Sequence, residues 1–139
     1  MLNHSKYSEE AYAALRIVSG LLFSFHGAQK LLGVLMDPTM MPPVGSQIWF
    51  GGVIELVGGV FIMLGLFTCY AGLLASGEMA VAYFQFHWKF AFDSNFFPVV
   101  NHGEMAIIYC FLFLYIAIKG AGKWSIMGLV KKTSNKKKR

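Results

Sequence analysis

Four long apolar runs decide what this chain can fold into. They read "AYAALRIVSGLLFSFHGAQKLLG" (11–33), "QIWFGGVIELVGGVFIMLGL" (47–66), "TCYAGLLASGEMAVAYFQFH" (68–87) and "GEMAIIYCFLFLYIAIKGAG" (103–122), each of 20 or more residues. At 1.5 Å per residue, a helix of that length crosses the ~30 Å hydrocarbon layer of a bilayer. Backbone groups in lipid must find partners within their own segment, so helices are the expected form. The chain is 56% hydrophobic and 14% charged, whereas ordinary soluble domains are about 25% charged. A soluble core of 139 residues could not hide that much apolar surface. The expected fold is all-α: a transmembrane four-helix up-down bundle over residues 11–126. Residues 1–10 precede it and a basic tail, 127–139, follows it.

The charges orient the bundle. Eight of the twelve Lys and Arg residues lie at or after Lys119, and the chain ends "KKTSNKKKR". Lys6 and Arg16 lie near the other terminus. Four crossings put both termini on one side, and the positive-inside rule makes that side the cytoplasm. Glu9 and Glu10 directly before the first run, with no small-residue cleavage pattern after it, argue for a retained helix rather than a signal peptide. The basic tail reads as a topology anchor touching anionic lipid. Nothing else in the chain supports a nucleic-acid partner.

The connections also carry information. Gly65 to Thr68 suffices for a tight cytoplasmic hairpin between the second and third runs. The outer loop 34–46 has three prolines, which oppose helix continuation. The outer loop 88–102 carries Trp88, Phe90, Phe92, Phe96 and Phe97, rings suited to a membrane–water interface. Glycines within the runs, among them Gly20, Gly27, Gly51, Gly52, Gly58 and Gly59, suit close helix–helix packing in lipid. Cys69 and Cys110, the two cysteines, fall at different depths, so neither a disulfide nor a metal quartet is expected.

Ionisable residues inside the runs are the candidate site. Counted from the outer ends, His26 lies ~10 Å deep, Glu55 ~12 Å and Glu78 ~14 Å, in one layer. Lys30 and Glu104 lie within ~5 Å of the outer surface and are expected to pair. His87 and His102 sit at the rim. Arg16, His26 and Lys30 share an arc of about 80° on the first helix, with Arg16 toward the inner interface. Glu78 and Gln85 share a face of the third helix, and an unbroken α-helix would point His87 away from it. An intramembrane charge costs about 2.5–3.5 kcal/mol and marks a functional site by default. The competing reading is an ion-paired network that only holds the helices in register.

A quinone needs an apolar slot and an acid or histidine to exchange protons with its ring oxygens, which His26, Glu55 and Glu78 supply. A proton-coupled carrier would use similar residues, and a non-catalytic assembly or scaffold protein is the third reading. A b-type haem needs two facing histidines at depth, and only His26 is deep. The methionines of "MDPTMMP" are better explained by a flexible loop than by copper. Phosphate-loop, CxxC and Ser–His–Asp signatures do not appear.

Taken together, these residues form a pattern. Arg16, the His26–Gly27–x–x–Lys30 run, Glu55 followed by Gly58 and Gly59, Glu78–Met79–Ala80 with His87, and Pro98–x–x–Asn101–x–Gly103–Glu104 resemble the DoxX family of small four-helix membrane proteins, over about residues 11–126. Ser125–Ile126–Met127 departs from the family's commoner Ser–Leu–Asp. The resemblance implies a multi-pass protein of the bacterial cytoplasmic membrane. That family takes its name from subunits of a terminal quinol oxidase and is similar to the membrane part of thiosulfate:quinone oxidoreductase. Some of its members are linked to membrane oxidoreductase complexes that handle thiol and oxidative stress. Quinone as ligand and other redox proteins as partners are the expectations that follow.

Overall fold

The computed structural model describes residues 4–130, so the basic run from Lys131 onward and residues 1–3 lie outside the described residues. Among the described residues there is no strand. Helix α1 runs from His4 to Leu32 and stops at Gly33, whose φ of +64° closes the last turn in the left-handed region. Helix α2, Gln47–Leu64, starts on Ser46, whose hydroxyl accepts a hydrogen bond from Trp49 N at 3.2 Å. Helix α3, Thr68–Ala82, continues into a π-helical turn, Tyr83–Trp88. Helix α4, Glu104–Lys119, follows a single helical turn at Pro98–Asn101. The helix starts at Gln47, Thr68 and Glu104 match the expected apolar runs to within a residue.

The α2–α3 hairpin is as short as expected. Gly65 ends α2 with φ +68°, and Phe67, at φ +44°, starts the turn into α3. A Cβ on Gly65 would sit 2.3 Å from Ser125 Cβ, so the turn packs directly on the segment after α4.

Among the described residues, Gln47–Leu64 is the one helix that combines the length and apolarity needed to cross a membrane. The others fall short for physical reasons. Helix α1 carries Glu9, Glu10, Arg16 and Lys30, α3 with its π turn carries Glu78, Gln85 and His87, and α4 has 16 residues. At 1.5 Å per residue α4 extends ~24 Å, less than the ~30 Å core.

The helices associate through close backbone approach. A Cβ on Gly27 of α1 would fall 2.3 Å from Leu56 N and 2.6 Å from Gly52 O of α2. At Gly20 it would fall 2.5 Å from Met63 N. Only glycine allows backbones that near, which is how helices pack where no hydrophobic force drives them together. Helices α3 and α4 lie along each other, with Gly72 facing Phe113 O. Phe23 of α1 ties the two pairs, its ring 4.6 Å from Phe113 and 5.8 Å from Tyr109.

The exterior is apolar and the interior holds polar groups. Tyr70, Phe92, Phe111 and Ile118 are exposed, whereas Arg16, Ser24, Glu55, Ser76 and Ser125 are buried. A water-facing surface of this composition would be one large apolar patch.

Arg16 organises the inner end. Its side chain has no accessible surface. It donates to Ile62 O and Met63 O at 2.6 Å, and to Lys123 O and Trp124 O at 3.1 and 2.9 Å. The first two are last-turn carbonyls of α2, at the negative end of the helix dipole, and Ile62 O also accepts from Gly65 N at 3.1 Å. Arg16 is therefore a backbone clamp, not a member of the outer polar layer. Glu9–Lys119 and Glu10–Lys123 pairs, at 2.9 and 2.6 Å, hold the same end from outside.

Candidate functional site

A cavity of about 920 Å³ lies between the four helices, toward the outer half. His26 and Lys30 of α1, Glu55 of α2, and Glu78 and His87 of α3 all line it. Helix α4 contributes Met105, Ala106 and Tyr109. The walls are otherwise almost entirely apolar, including Phe23, Phe50, Ile54, Leu73, Leu74 and Phe86.

Glu55 is one of the two buried residues of a backbone irregularity, the other being Gly58. Ile54–Gly58 forms a π-helical turn inside α2, and Glu55 is 3% exposed. Such wide turns displace a side chain from the regular helical register and are frequent at functional sites. Lys30 Nζ donates to Glu55 Oε1 at 2.7 Å. This corrects the expected Lys30–Glu104 pair. Glu104 is exposed at the first residue of α4 and does not line the cavity. A carboxylate there complements the positive end of the α4 dipole. Lys30 reaches deeper than its Cα because the lysine stem extends along apolar surface and carries the ammonium with it.

Glu78 has room because residue 51 is glycine: a Cβ there would come within 3.2 Å of Glu78 Oε1. One oxygen of each acid, Glu55 Oε2 and Glu78 Oε2, is buried without a hydrogen-bond partner. A buried unsatisfied polar atom is costly, and functional sites are where such atoms persist. Lys30 is committed to Glu55, and the cavity is lined by both acids and by His26.

The second π turn explains His87. Nine residues separate it from Glu78, about 180° of rotation on a regular helix. The extra residue accommodated by the Tyr83–Trp88 turn brings it back to about 80°, on the cavity side. His87 Nδ1 lies 3.1 Å from Asn101 O. Asn101 itself organises the outer loop: its Nδ2 donates to Asn95 O at 2.8 Å and its Oδ1 accepts from Gly103 N at 2.7 Å. Neither Asn101 nor His102 lines the cavity, and Arg16 lies at the opposite end.

Sequence reasoning missed Gln47, whose Nε2 donates to Gln85 Oε1 at 2.5 Å. This bond joins the start of α2 to the π turn of α3 at the outer mouth. The signal available for it was a polar residue at the start of an apolar run, level with Gln85 once the hairpin is drawn. Among the described residues, no group of three or more His, Cys, Asp or Glu side chains could hold a metal ion. Cys69 and Cys110 are free thiols.

Comparison with known proteins gives a family and one curated relative. An uncharacterized protein of Haemophilus influenzae is 41% identical over 133 aligned residues, covering 88% of this chain and 92% of that protein. No solved structure matches the chain. The DoxX family description matches residues 11–88, which hold every acid, lysine and histidine that lines the cavity. On these matches, the chain belongs to the DoxX family.

Proposed function

We propose that this DoxX protein is a multi-pass component of the bacterial cytoplasmic membrane that binds a quinone for a membrane oxidoreductase or redox-stress system. In this reading all four long helices cross the bilayer as an up-down bundle with both termini cytoplasmic. The short α4 is accommodated by tilt or local thinning of neighbouring lipid. The aromatic cluster around Trp88 lies at the outer interface. Lys119, Lys123 and the basic tail lie at the inner one, where they meet anionic headgroups.

The observation that carries the reading is the meeting of two acids, each with one buried oxygen that lacks a partner, and an imidazole around one apolar-walled cavity. The donor set fits a quinone, whose chemistry when bound is the uptake or release of electrons with protons at its two ring oxygens. Glu78 and His26 hold and move those protons, Lys30 holds Glu55 in place, and Phe23, Phe50 and Tyr109 exclude water around the ring. A partner redox protein supplies or takes the electrons.

The test is to purify the protein in mild detergent and analyse co-extracted quinone, with Glu55→Gln and Glu78→Gln alongside. Quinone at a near-stoichiometric level in the wild type, reduced in the variants, is the expected result. Absence of quinone, together with an unchanged redox-stress phenotype in both variants, would refute the proposal.

A further inference from the structure

The cavity is open along one side. On α3 its lining runs Tyr70, Leu73, Leu74, Gly77, Val81, residues three or four apart on one stripe. Tyr70 is 79% exposed, Leu73 60% and Leu74 56%. Toward the open end of the hairpin, Ile48 and Phe50 of α2 are likewise both lining and exposed, level with the Gln85 end of α3. The first part of α2, Gln47–Val53, packs on α1 rather than on α3, so the two helices leave a slot at that end, next to Glu78, while the later part of α2 packs on α3.

Polar groups are unevenly distributed along that slot. His26, Lys30, Glu55 and Glu78 form one level, and Gln47 and His87 lie outward of it. From Glu78 inward to Tyr70, eight residues or ~12 Å along α3, the lining residues Gly77, Leu74 and Leu73 are apolar. A ligand with polar groups at both ends would bury one of them here without a partner. A ligand with a compact polar head and a long apolar tail leaves nothing unpaired.

Resting on the quinone reading above, we infer that the ligand is a tailed, lipid-soluble quinone that enters sideways from the bilayer between α2 and α3. Its head lies at Glu78 and its tail lies inward along Leu74, Leu73 and Tyr70. Water-soluble, tailless quinones meet the head groups alone.

The test compares a tailless benzoquinone with the same head bearing a short isoprenoid tail, by equilibrium binding to the detergent-solubilised protein. Leu74→Trp puts an indole into the tail region. Leu74 is already more than half exposed, so little native burial is lost. The tailed-to-tailless affinity ratio is read for wild type and variant in the same detergent, which cancels partition of the tail into micelles. Leu74→Trp is expected to lower that ratio roughly tenfold, the cost of removing about two buried methylenes. Ile118→Trp, on an exposed α4 position outside the cavity, is expected to leave it unchanged.

A tail-end diazirine on the wild-type protein provides a measurement that needs no variant. Crosslinks are expected within residues 70–74, mapped by mass spectrometry. An unchanged ratio in Leu74→Trp, or crosslinks on Phe96 and Phe97 instead, overturns lateral tail binding while leaving the quinone reading intact. Failure of both the tailed and the tailless quinone to bind overturns the quinone reading, and this inference with it.

Discussion

Lys30 of α1 reaches Glu55 of α2 at 2.7 Å, across the same helix pair that Gly27 holds in backbone contact. The ion pair and the glycine contact lie within one turn of each other, so the electrostatics of the cavity and the packing of its wall are set together.

Removing one partner of that pair strands the other. Lys30→Met leaves a 3%-exposed carboxylate without its cation. Loss of one partner from a fully buried pair costs about 3–5 kcal/mol; because Lys30 is itself partly exposed, roughly 2–3 kcal/mol is expected. Lys30→Met combined with Glu55→Leu should recover most of that loss. Thermal or denaturant unfolding in detergent, run as a double-mutant cycle, checks this. A single variant as stable as wild type would show that the pair is not the partner Glu55 depends on.

The glycines are predicted to divide sharply. Gly27→Ala forces a methyl to 2.3 Å from Leu56 N and should cost about 1–3 kcal/mol through separation of α1 from α2. Gly77→Ala meets nothing within 4 Å and should be neutral or stabilising by up to about 1 kcal/mol, the helix-propensity difference. Paired melting curves of the two variants distinguish a packing requirement from a general dislike of side chains in these helices.

Arg16 makes four bonds that lysine cannot copy, because an ammonium lacks the planar fork that reaches carbonyls on two segments at once. Arg16→Lys and Arg16→Met should both lose roughly 3 kcal/mol or more, given about 1.5–3 kcal/mol for each hydrogen bond to a charged group. Amide exchange should quicken first at residues 62–66 and 120–125, the two clamped segments. Faster exchange confined to the outer loop instead would contradict the clamp.

The inner end also carries a pH dependence. The Lys123 ammonium beside Glu10 holds its carboxyl below the ordinary glutamate value of 4.5. A carboxyl whose folded value is lowered contributes stability above its unfolded value and loses it as pH falls through the folded one. The wild type should therefore melt above Glu10→Gln at neutral pH, and the two curves should converge as pH drops below 4.5. Convergence on raising the pH would have the wrong sign for this pair.

Much of the architecture was legible as lengths and stops. Glycine or proline punctuation placed the ends of α1 and α2, and depth counting put His26, Glu55 and Glu78 at one level, where they line one cavity. What escaped depends on departures from the regular helix. A count at 100° per residue assumes an unbroken α-helix, and two π turns break that assumption where the cavity is built. Hence His87, a candidate at the rim, falls on the opposite face in an unbroken-helix count and on the cavity side in the structure. The Lys30–Glu104 expectation failed because equal Cα depth does not fix where a long side chain ends. Arg16 was read as an interfacial charge since nothing in the sequence says that α2 ends, and the chain after α4 turns, within reach of its guanidinium.

Arg16 fastens the inner ends of α1, α2 and the segment after α4 to one another, while the outer mouth is crossed by the Gln47–Gln85 bond. The α2–α3 pair thus behaves like tongs with a riveted pivot and lightly latched tips. Stiffness falls from the Arg16 end toward the Gln47–Gln85 end, and breathing of the pair widens the slot at the tips before it disturbs the pivot.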